Sequence, residues 1–283
     1  MINKNFVIQG DSSKVMEHIP SDEVQLVFTS PPYFNVKSYS MYEDYGTYLR
    51  TMQKTIEWIN DILEIGRFFV LNIGSAIVPR TKRQSSSTRH FIPFDLHSII
   101  VNSGFQFIDD IIWVKPEPSS RHRNASFMQH RHPLAYKPNI ITEYILVYRK
   151  WTDKLIDWNM QKYDKATKDA SKVEDGYETS NVWHINPKSD PSHPAIFPDE
   201  LCKRVIQYYS YKGDIVLDPF AGSGTVGRVA QSLGRKFILI EQKPEYCNLI
   251  MSRLSTMFDQ DEISFFSSLK ELTSADIPEW QMT

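Results

Sequence analysis

The chain has 283 residues, 41% of them apolar and 13% aromatic, enough to bury the core of one large α/β domain or of one domain carrying an insertion. A formal net charge of −2 argues against a protein that coats nucleic acid, though not against a local basic groove, and two cysteines, Cys202 and Cys247, give no disulfide framework. No basic leader precedes an apolar run and no stretch reaches the length of a membrane span, so a soluble, reducing, cytoplasmic setting without membrane contact is expected.

Taken in chain order, Val24–Thr29 is a short apolar run stopped by Pro31-Pro32, which predicts a buried strand ending in a loop. Residues 48–65 carry apolar side chains at helical spacing, and 67–73 read as a second buried strand closed by Gly74. A polar, basic loop over 78–90 leads to a predicted helix at 93–102 and a strand at 105–114. Residues 115–138 are irregular and basic, and 140–148 return to strand character. The least regular stretch, 151–190, reads as an excursion from the core rather than a core layer. A clear βαβ rhythm follows: helix 198–211, strand 215–217, helix 223–233, strand 236–240 and helix 244–257.

Two loops in this pattern carry chemistry. In the first, Asp218-Pro219-Phe220-Ala221-Gly222-Ser223-Gly224-Thr225-Val226-Gly227 joins a strand to a helix, and Glu241 ends the next strand. Glycines there let the backbone pass close to a nucleoside, and a carboxylate on the neighbouring strand tip can accept both ribose hydroxyls. The spacing alone suits a nicotinamide dinucleotide equally well. In the second, Ser30-Pro31-Pro32-Tyr33 follows a strand. The Ser30 hydroxyl and the Pro31 carbonyl are acceptors for the hydrogens of a weakly basic amine, the prolines stiffen the loop, and Tyr33 offers a flat face to a base taken out of a duplex.

Asp218 to Thr225 resembles the S-adenosylmethionine signature of the DNA amino-methyltransferases, and Ser30-Pro31-Pro32-Tyr33 is similar to the catalytic loop of the same enzymes. The order of the loops, catalytic before cofactor, is that of the β-class, whose members methylate cytosine N4 or adenine N6 in restriction-modification or epigenetic systems. The resemblance extends through Gln9-Gly10-Asp11-Ser12, Ile112 to Pro116, Glu143 to Tyr148, His193 to Pro198, and Gly234 to Tyr246. It implies a Rossmann-like methyltransferase fold, a mostly parallel sheet with helices on both faces, permuted, filling 1–283 as one domain. The implied cofactor is S-adenosyl-L-methionine, held by Asp11 on its adenine side, Glu241 at the ribose, Phe197 at the methionine end, and Asp218, Phe220, Ala221, Gly222, Ser223, Gly224 and Thr225 around it.

The implied catalytic residues are Ser30, Pro31, Pro32 and Tyr33, and a serine before Pro-Pro is more typical of cytosine-N4 than of adenine-N6 enzymes. Double-stranded DNA is the expected substrate. A cognate restriction endonuclease and a second copy of the chain are further partners the resemblance suggests. Arg80, Lys82, Arg83, Arg121, Arg123 and Asn124 lie in basic loops beside predicted core strands and are candidates for DNA contact, with 115–138 as a DNA-facing loop and 151–190 as the inserted target-recognition region.

Adenine N6 as the target, an RNA or protein methyltransferase, and a nicotinamide oxidoreductase remain as alternatives, the last without an evident hydride-site acid or base. No metal is expected, because His122, His130 and His132 share a loop without a Cys or carboxylate at zinc spacing. Neither cysteine stands in a Pro-Cys turn, as a thiolate attack on cytosine C6 would need.

Overall fold

The computed structural model describes residues 5–34, 42–78, 82, 84–85, 87–116, 133–134, 138, 140–173, 176–190, 193–257 and 263–274. In chain order the elements are β1 (Asn5–Gln9), α1 (Ser12–Met16), β2 (Val24–Thr29), α2 (Tyr45–Ile62), β3 (Leu63–Ile73), β4 (Ala76–Val78), β5 (Thr88–His90), α3 (Ile92–Asn102), β6 (Phe105–Val114), β7 (Thr142–Lys150), α4 (Lys165–Ala170), β8 (Val182–His184), β9 (Lys188–Asp190), β10 (His193–Ile196), α5 (Asp199–Tyr209), β11 (Ile215–Asp218), α6 (Thr225–Ser232), β12 (Lys236–Glu241), α7 (Pro244–Ser255), β13 (Ile263–Phe266) and α8 (Leu269–Ser274). A 3-10 turn spans Trp158–Lys162.

One nine-stranded sheet runs in the order β13-β1-β12-β11-β2-β3-β7-β6-β8. Strands β13 through β3 are mutually parallel, β7 is antiparallel to both β3 and β6, and β8 runs parallel to β6. Strict alternation of side chains divides the core in two. Phe6, Ile8, Val27, Phe69, Leu71, Ile215, Leu217, Ile238 and Ile240 pack with α1, α2 and α3 on one face. Val7, Leu26, Phe28, Val70, Val216, Phe237 and Leu239 pack with α5, α6 and α7 on the other. The helices before β7 therefore cover one face and the large helices after it cover the other, so the sheet reverses its winding between β2 and β11. A parallel sheet opens a crevice at the carboxyl ends of its strands at such a point.

Helix α2 shows why the local sequence folds as it does. Asp44 caps it, accepting from Thr47 N at 2.8 Å, and Tyr48, Met52, Ile56, Ile59 and Ile62 form its buried stripe. Its end comes three residues earlier than periodicity predicts, because Leu63 already pairs with Val24 as the first residue of β3. Gly66, at φ +75°, then lets the strand bend before its regular pairing begins.

The stretch 151–190 corrects the expectation of a simple excursion. Its second half is a core layer: β8 extends the main sheet, Trp183 and Ile185 are buried, and Trp113 Nε1 donates to Ile185 O at 2.8 Å. Its first half packs at the amino ends of the parallel strands, where Asn159 Nδ2 donates to Ile65 O at 3.0 Å and Tyr163 OH to Asp214 Oδ1 at 2.5 Å. A strand of six residues is roughly 20 Å long, so 151–173 sits a strand's length from the loop that holds Ser30.

Candidate active site

At the carboxyl end of β11 the chain turns through Pro219 into the glycine loop. Asp218 is buried, and its Oδ1 accepts from Thr29 Oγ1 at 2.6 Å and from Phe220 N at 3.0 Å. Burial raises its carboxyl to about 7 against the pull of those two hydrogen bonds, with the charge of Glu241 adding to the rise. This side chain ties the end of β2 to the end of β11, so the two sequence motifs meet through one hydrogen bond.

Gly222 and Gly224 adopt φ of +51° and +76°, which side-chain-bearing residues rarely do, and a Cβ on Gly224 would lie 2.9 Å from Ile250 Cγ1. Ala221 N donates to Ile240 O at 3.0 Å, and Ser223 Oγ lies 3.2 Å from Thr225 Oγ1 at the start of α6. Glu241, one strand over, is fixed by two backbone donors: Gly222 N at 2.9 Å on Oε2 and Lys243 N at 2.9 Å on Oε1. Each oxygen keeps a second lone pair, which makes the carboxylate a rigid double acceptor. Its pKa is raised, mainly by burial.

Asp11 follows the next strand, β1, whose neighbour Gly10 N donates to Glu241 O at 3.0 Å. Its carboxylate is exposed and caps α1, accepting from Ser13 N at 3.1 Å and Lys14 N at 3.3 Å, and Ser12 Oγ donates to Pro219 O. Asp11, the glycine loop and Glu241 therefore occupy three adjacent strand ends.

The Ser30-Pro31-Pro32-Tyr33 loop leaves β2 beside them. Phe28, two residues before Ser30, stacks on Phe197 with ring centroids 4.9 Å apart, which places the segment before α5 against the same strand. Tyr33 OH donates to Glu143 Oε2 at 3.0 Å. Asn72, buried near the end of β3, donates through Nδ2 to Glu143 Oε2 at 2.7 Å and, more weakly, towards Ser30 Oγ and Tyr33 OH, both at 3.3 Å. Glu143 Oε1 is ion-paired with Lys115, whose ammonium lies 4.4 Å from the centre of the Trp113 ring. Burial first, and the Glu143 carboxylate second, hold the Tyr33 phenol well above its ordinary pKa, so it remains a hydrogen-bond donor.

Asn72, Glu143, Lys115 and Thr29 are functional candidates that motif reading missed. The available signal was Asn72 itself, an amide interrupting the apolar run Phe68-Phe69-Val70-Leu71 of a strand predicted to be buried. Both cysteines are buried thiols raised in pKa by that burial, Cys247 to about 12, so neither supplies a thiolate.

Of the DNA-contact candidates, Arg80, Arg83, Arg121, Arg123 and Asn124 lie outside the described residues. Lys82 is exposed in a turn whose backbone is closed by Ser85, with Lys82 N donating to Ser85 Oγ at 3.0 Å. Both basic loops start from the site's end of the sheet. The β4–β5 connection follows the carboxyl end of β3, and the β6–β7 connection leaves from Lys115 and returns one residue before Thr142, beside Glu143.

Comparison with known proteins bears on this arrangement. The family model N6_N4_Mtase, described as DNA methylase, matches residues 24–252. The Type II beta methyltransferase M.BslI of a Bacillus strain is 29% identical over 87% of this chain, which spans 27% of that protein. The Type II methyltransferase M.XycI of Xanthomonas campestris pv. cyanopsidis is 27% identical over 88% of this chain and 87% of its own length. Among solved structures, a DNA modification methylase of Thermus thermophilus, determined with S-adenosyl-L-methionine, superposes with a TM-score of 0.74 at 25% identity, over 93% of this chain and 98% of that one. The cytosine-N4-specific PvuII DNA methyltransferase shares the fold, with a TM-score of 0.64 at 23% identity over 92% of this chain and 88% of its own.

Proposed function

Because the chain belongs to the N6_N4_Mtase family of DNA methylases, we propose that it moves a methyl group from S-adenosyl-L-methionine to the exocyclic amine of a flipped base in double-stranded DNA, with cytosine N4 the preferred target. The observation that carries this reading is the Thr29–Asp218 hydrogen bond, which sets the amine-binding loop and the glycine loop side by side at the switch point of the sheet.

The donor set suits the cofactor. Glu241 is a pre-fixed double acceptor for the two ribose hydroxyls, the left-handed Gly222 and Gly224 let the backbone approach closely at their own positions, and Asp11 and Phe197 stand on either side for the adenine and methionine ends. When bound, the cofactor supplies an electrophilic methyl group. The residues of this chain orient the amine. Ser30 Oγ and the Pro31 carbonyl accept its hydrogens and leave the nitrogen lone pair aimed away from them, and the Ser30 hydroxyl proton can reach N3 of cytosine. Tyr33 stacks on the extruded base, a contact worth ~1–3 kcal/mol.

DNA approaches the carboxyl end of the sheet, so phosphate contacts fall to the loops around 80–83 and 121–124. Target recognition falls to 115–141 and to the site-proximal part of the 151–190 region, 185–190, rather than to 151–173 at the opposite end. Digestion of plasmid methylated by the protein, with the nucleosides separated by mass, tests the reading. N4-methylcytosine is the expected product. N6-methyladenine alone overturns the choice of base, and the absence of both overturns DNA as the substrate.

A further inference from the structure

Glu143 lies on β7, the antiparallel strand, outside both motifs that carry the proposed chemistry, and yet it is the hub of the polar cluster behind Ser30. Its Oε2 receives two donors, Tyr33 OH and Asn72 Nδ2, and its Oε1 receives the ammonium of Lys115. A carboxylate accepts only, so the amide of Asn72 has to turn its nitrogen towards Glu143. That leaves Asn72 Oδ1, a buried acceptor with no partner. A buried amide oxygen without a donor costs about 1–3 kcal/mol unless something else fills the need. That cost is borne while the nitrogen, Asn72 Nδ2, approaches Ser30 Oγ at 3.3 Å.

We infer that Glu143 is a positioning residue for methyl transfer: paired with Lys115, it locks the Tyr33 phenol and the Asn72 amide, so that Asn72 Nδ2 meets Ser30 Oγ as a donor and leaves the Ser30 hydroxyl proton for the ring nitrogen of the base. The inference rests on the methyl-transfer reading above. It also explains the tight closure of the cluster, since a Cβ on Gly74 would come within 3.3 Å of Glu143 Cγ and 3.4 Å of Tyr33 Cε2. Lys115 has a definite part in it. By occupying Oε1 with a donor, it forces whatever stands at position 143 to present an acceptor on that side.

That asymmetry supplies the test. In Glu143→Gln the side-chain amide has one oxygen and one nitrogen. Lys115 claims the oxygen, so the nitrogen faces Asn72, whose amide then turns over and presents Oδ1 to Ser30, capturing the hydroxyl proton that the ring nitrogen of the base requires. Adding Lys115→Met removes that claim and lets the glutamine oxygen return to Asn72 and Tyr33. The experiment measures kcat and KM for plasmid methylation, cofactor affinity by calorimetry and thermal midpoint for the wild type, Glu143→Gln, and Glu143→Gln with Lys115→Met.

The single variant is expected to lose about 10- to 100-fold in kcat, with KM for DNA and cofactor affinity within about threefold of wild type, and the double variant to regain about tenfold of that loss. A merely structural Glu143 would not be rescued by a second substitution. Wild-type kcat in Glu143→Gln, or a double variant no better than the single, overturns the inference and leaves the methylation reading intact. A wild-type protein that methylates no DNA overturns that reading, and this inference with it.

Discussion

The sheet carries a buried polar cluster at each end, and the two are built on opposite plans. At the amino end, Arg67 donates through Nε to Gln25 O at 3.1 Å, through Nη1 to Tyr163 OH at 3.0 Å, and through Nη2 to Asp214. Tyr163 OH in turn donates to Asp214 Oδ1 at 2.5 Å, and Tyr211 N donates to Asp214 Oδ2 at 2.7 Å. The arginine fork, the phenol and the carboxylate satisfy one another, and the Tyr163 ring stacks on Tyr211 with centroids 4.2 Å apart. At the carboxyl end, the cluster of Asn72, Tyr33, Ser30 and Glu143 stops one acceptor short of closure. An orphan atom alone does not mark a site, since Trp158 Nε1 and Asn159 Oδ1 at the amino end are unpartnered too. What separates the ends is that the carboxyl-end cluster includes Ser30 and Tyr33 of the proline loop, which Asn72 and the Glu143–Lys115 ion pair hold. The closed cluster ties the fold together, whereas the open one, on the proposed function, holds groups in place for a substrate.

Breaking the closed cluster has the largest expected effect. Asp214→Ala leaves the Arg67 guanidinium buried without its carboxylate, and removing one partner of a buried pair costs about 3–5 kcal/mol. Urea denaturation should show that loss, while kcat and KM, measured at a temperature where the variant stays folded, should match wild type. Unchanged stability would refute the structural assignment of this end. The converse experiment is Ser30→Ala, expected to lower kcat by about 100- to 1,000-fold with stability within about 0.5 kcal/mol of wild type and cofactor affinity kept. A fully active Ser30→Ala protein removes Ser30 from the chemistry. Tyr33→Phe is milder. The ring still stacks, but the bond to Glu143 is gone, so a stability loss of about 1 kcal/mol and a smaller fall in kcat than for Ser30→Ala should appear together. A drop in kcat as deep as that of Ser30→Ala would show that the hydroxyl, not the ring, is what the substrate needs from Tyr33.

The two ends were unequally legible in the sequence. The glycine turn and the proline loop announced themselves because each needs residue types that little else explains at that spacing, and the structure brings them together through Thr29 and Asp218. Helices with a clean stripe, such as α2, α3, α5 and α7, were readable to within a few residues. Strand β1 was not. Five residues from Asn5 to Gln9 are too few for a period to show, and what makes them a strand is pairing with β12 and β13, more than two hundred residues away. The stretch 151–190 was misread as leaving the core because its buried members, Thr152, Asn159, Trp183 and Ile185, are isolated among polar residues and the partners of the last three lie on β3 and β6. Glu143 was hidden for the same reason. It looks like any acid at the start of an exposed strand until Asn72, Tyr33 and Lys115 are seen to converge on it.

The substitution most conservative in shape acts on the hydrogen bond that joins the two motifs. Asp218 Oδ1 accepts from Thr29 and from Phe220 N, and an amide oxygen in Asp218→Asn can accept both. The amide nitrogen then takes the place that the proton of the neutral acid would hold, so the variant imitates protonated Asp218 at every pH. In the wild type, burial raises the carboxyl to about 7, whereas an unfolded aspartate titrates near 4. Below pH ~4 both states are protonated and this group leaves stability independent of pH. Between pH ~4 and ~7 the unfolded chain has released the proton and the folded one still holds it, so folding becomes steadily less favourable as pH rises. Above ~7 both states are ionised and the contribution levels off at its lowest value. Denaturation profiles between pH 4 and 8 should therefore fall less steeply for Asp218→Asn than for wild type, the two curves lying closest at the acid end and the variant above wild type at pH 8. Parallel curves would show that Asp218 is ionised throughout, and that the joint between the two motifs is a charged one.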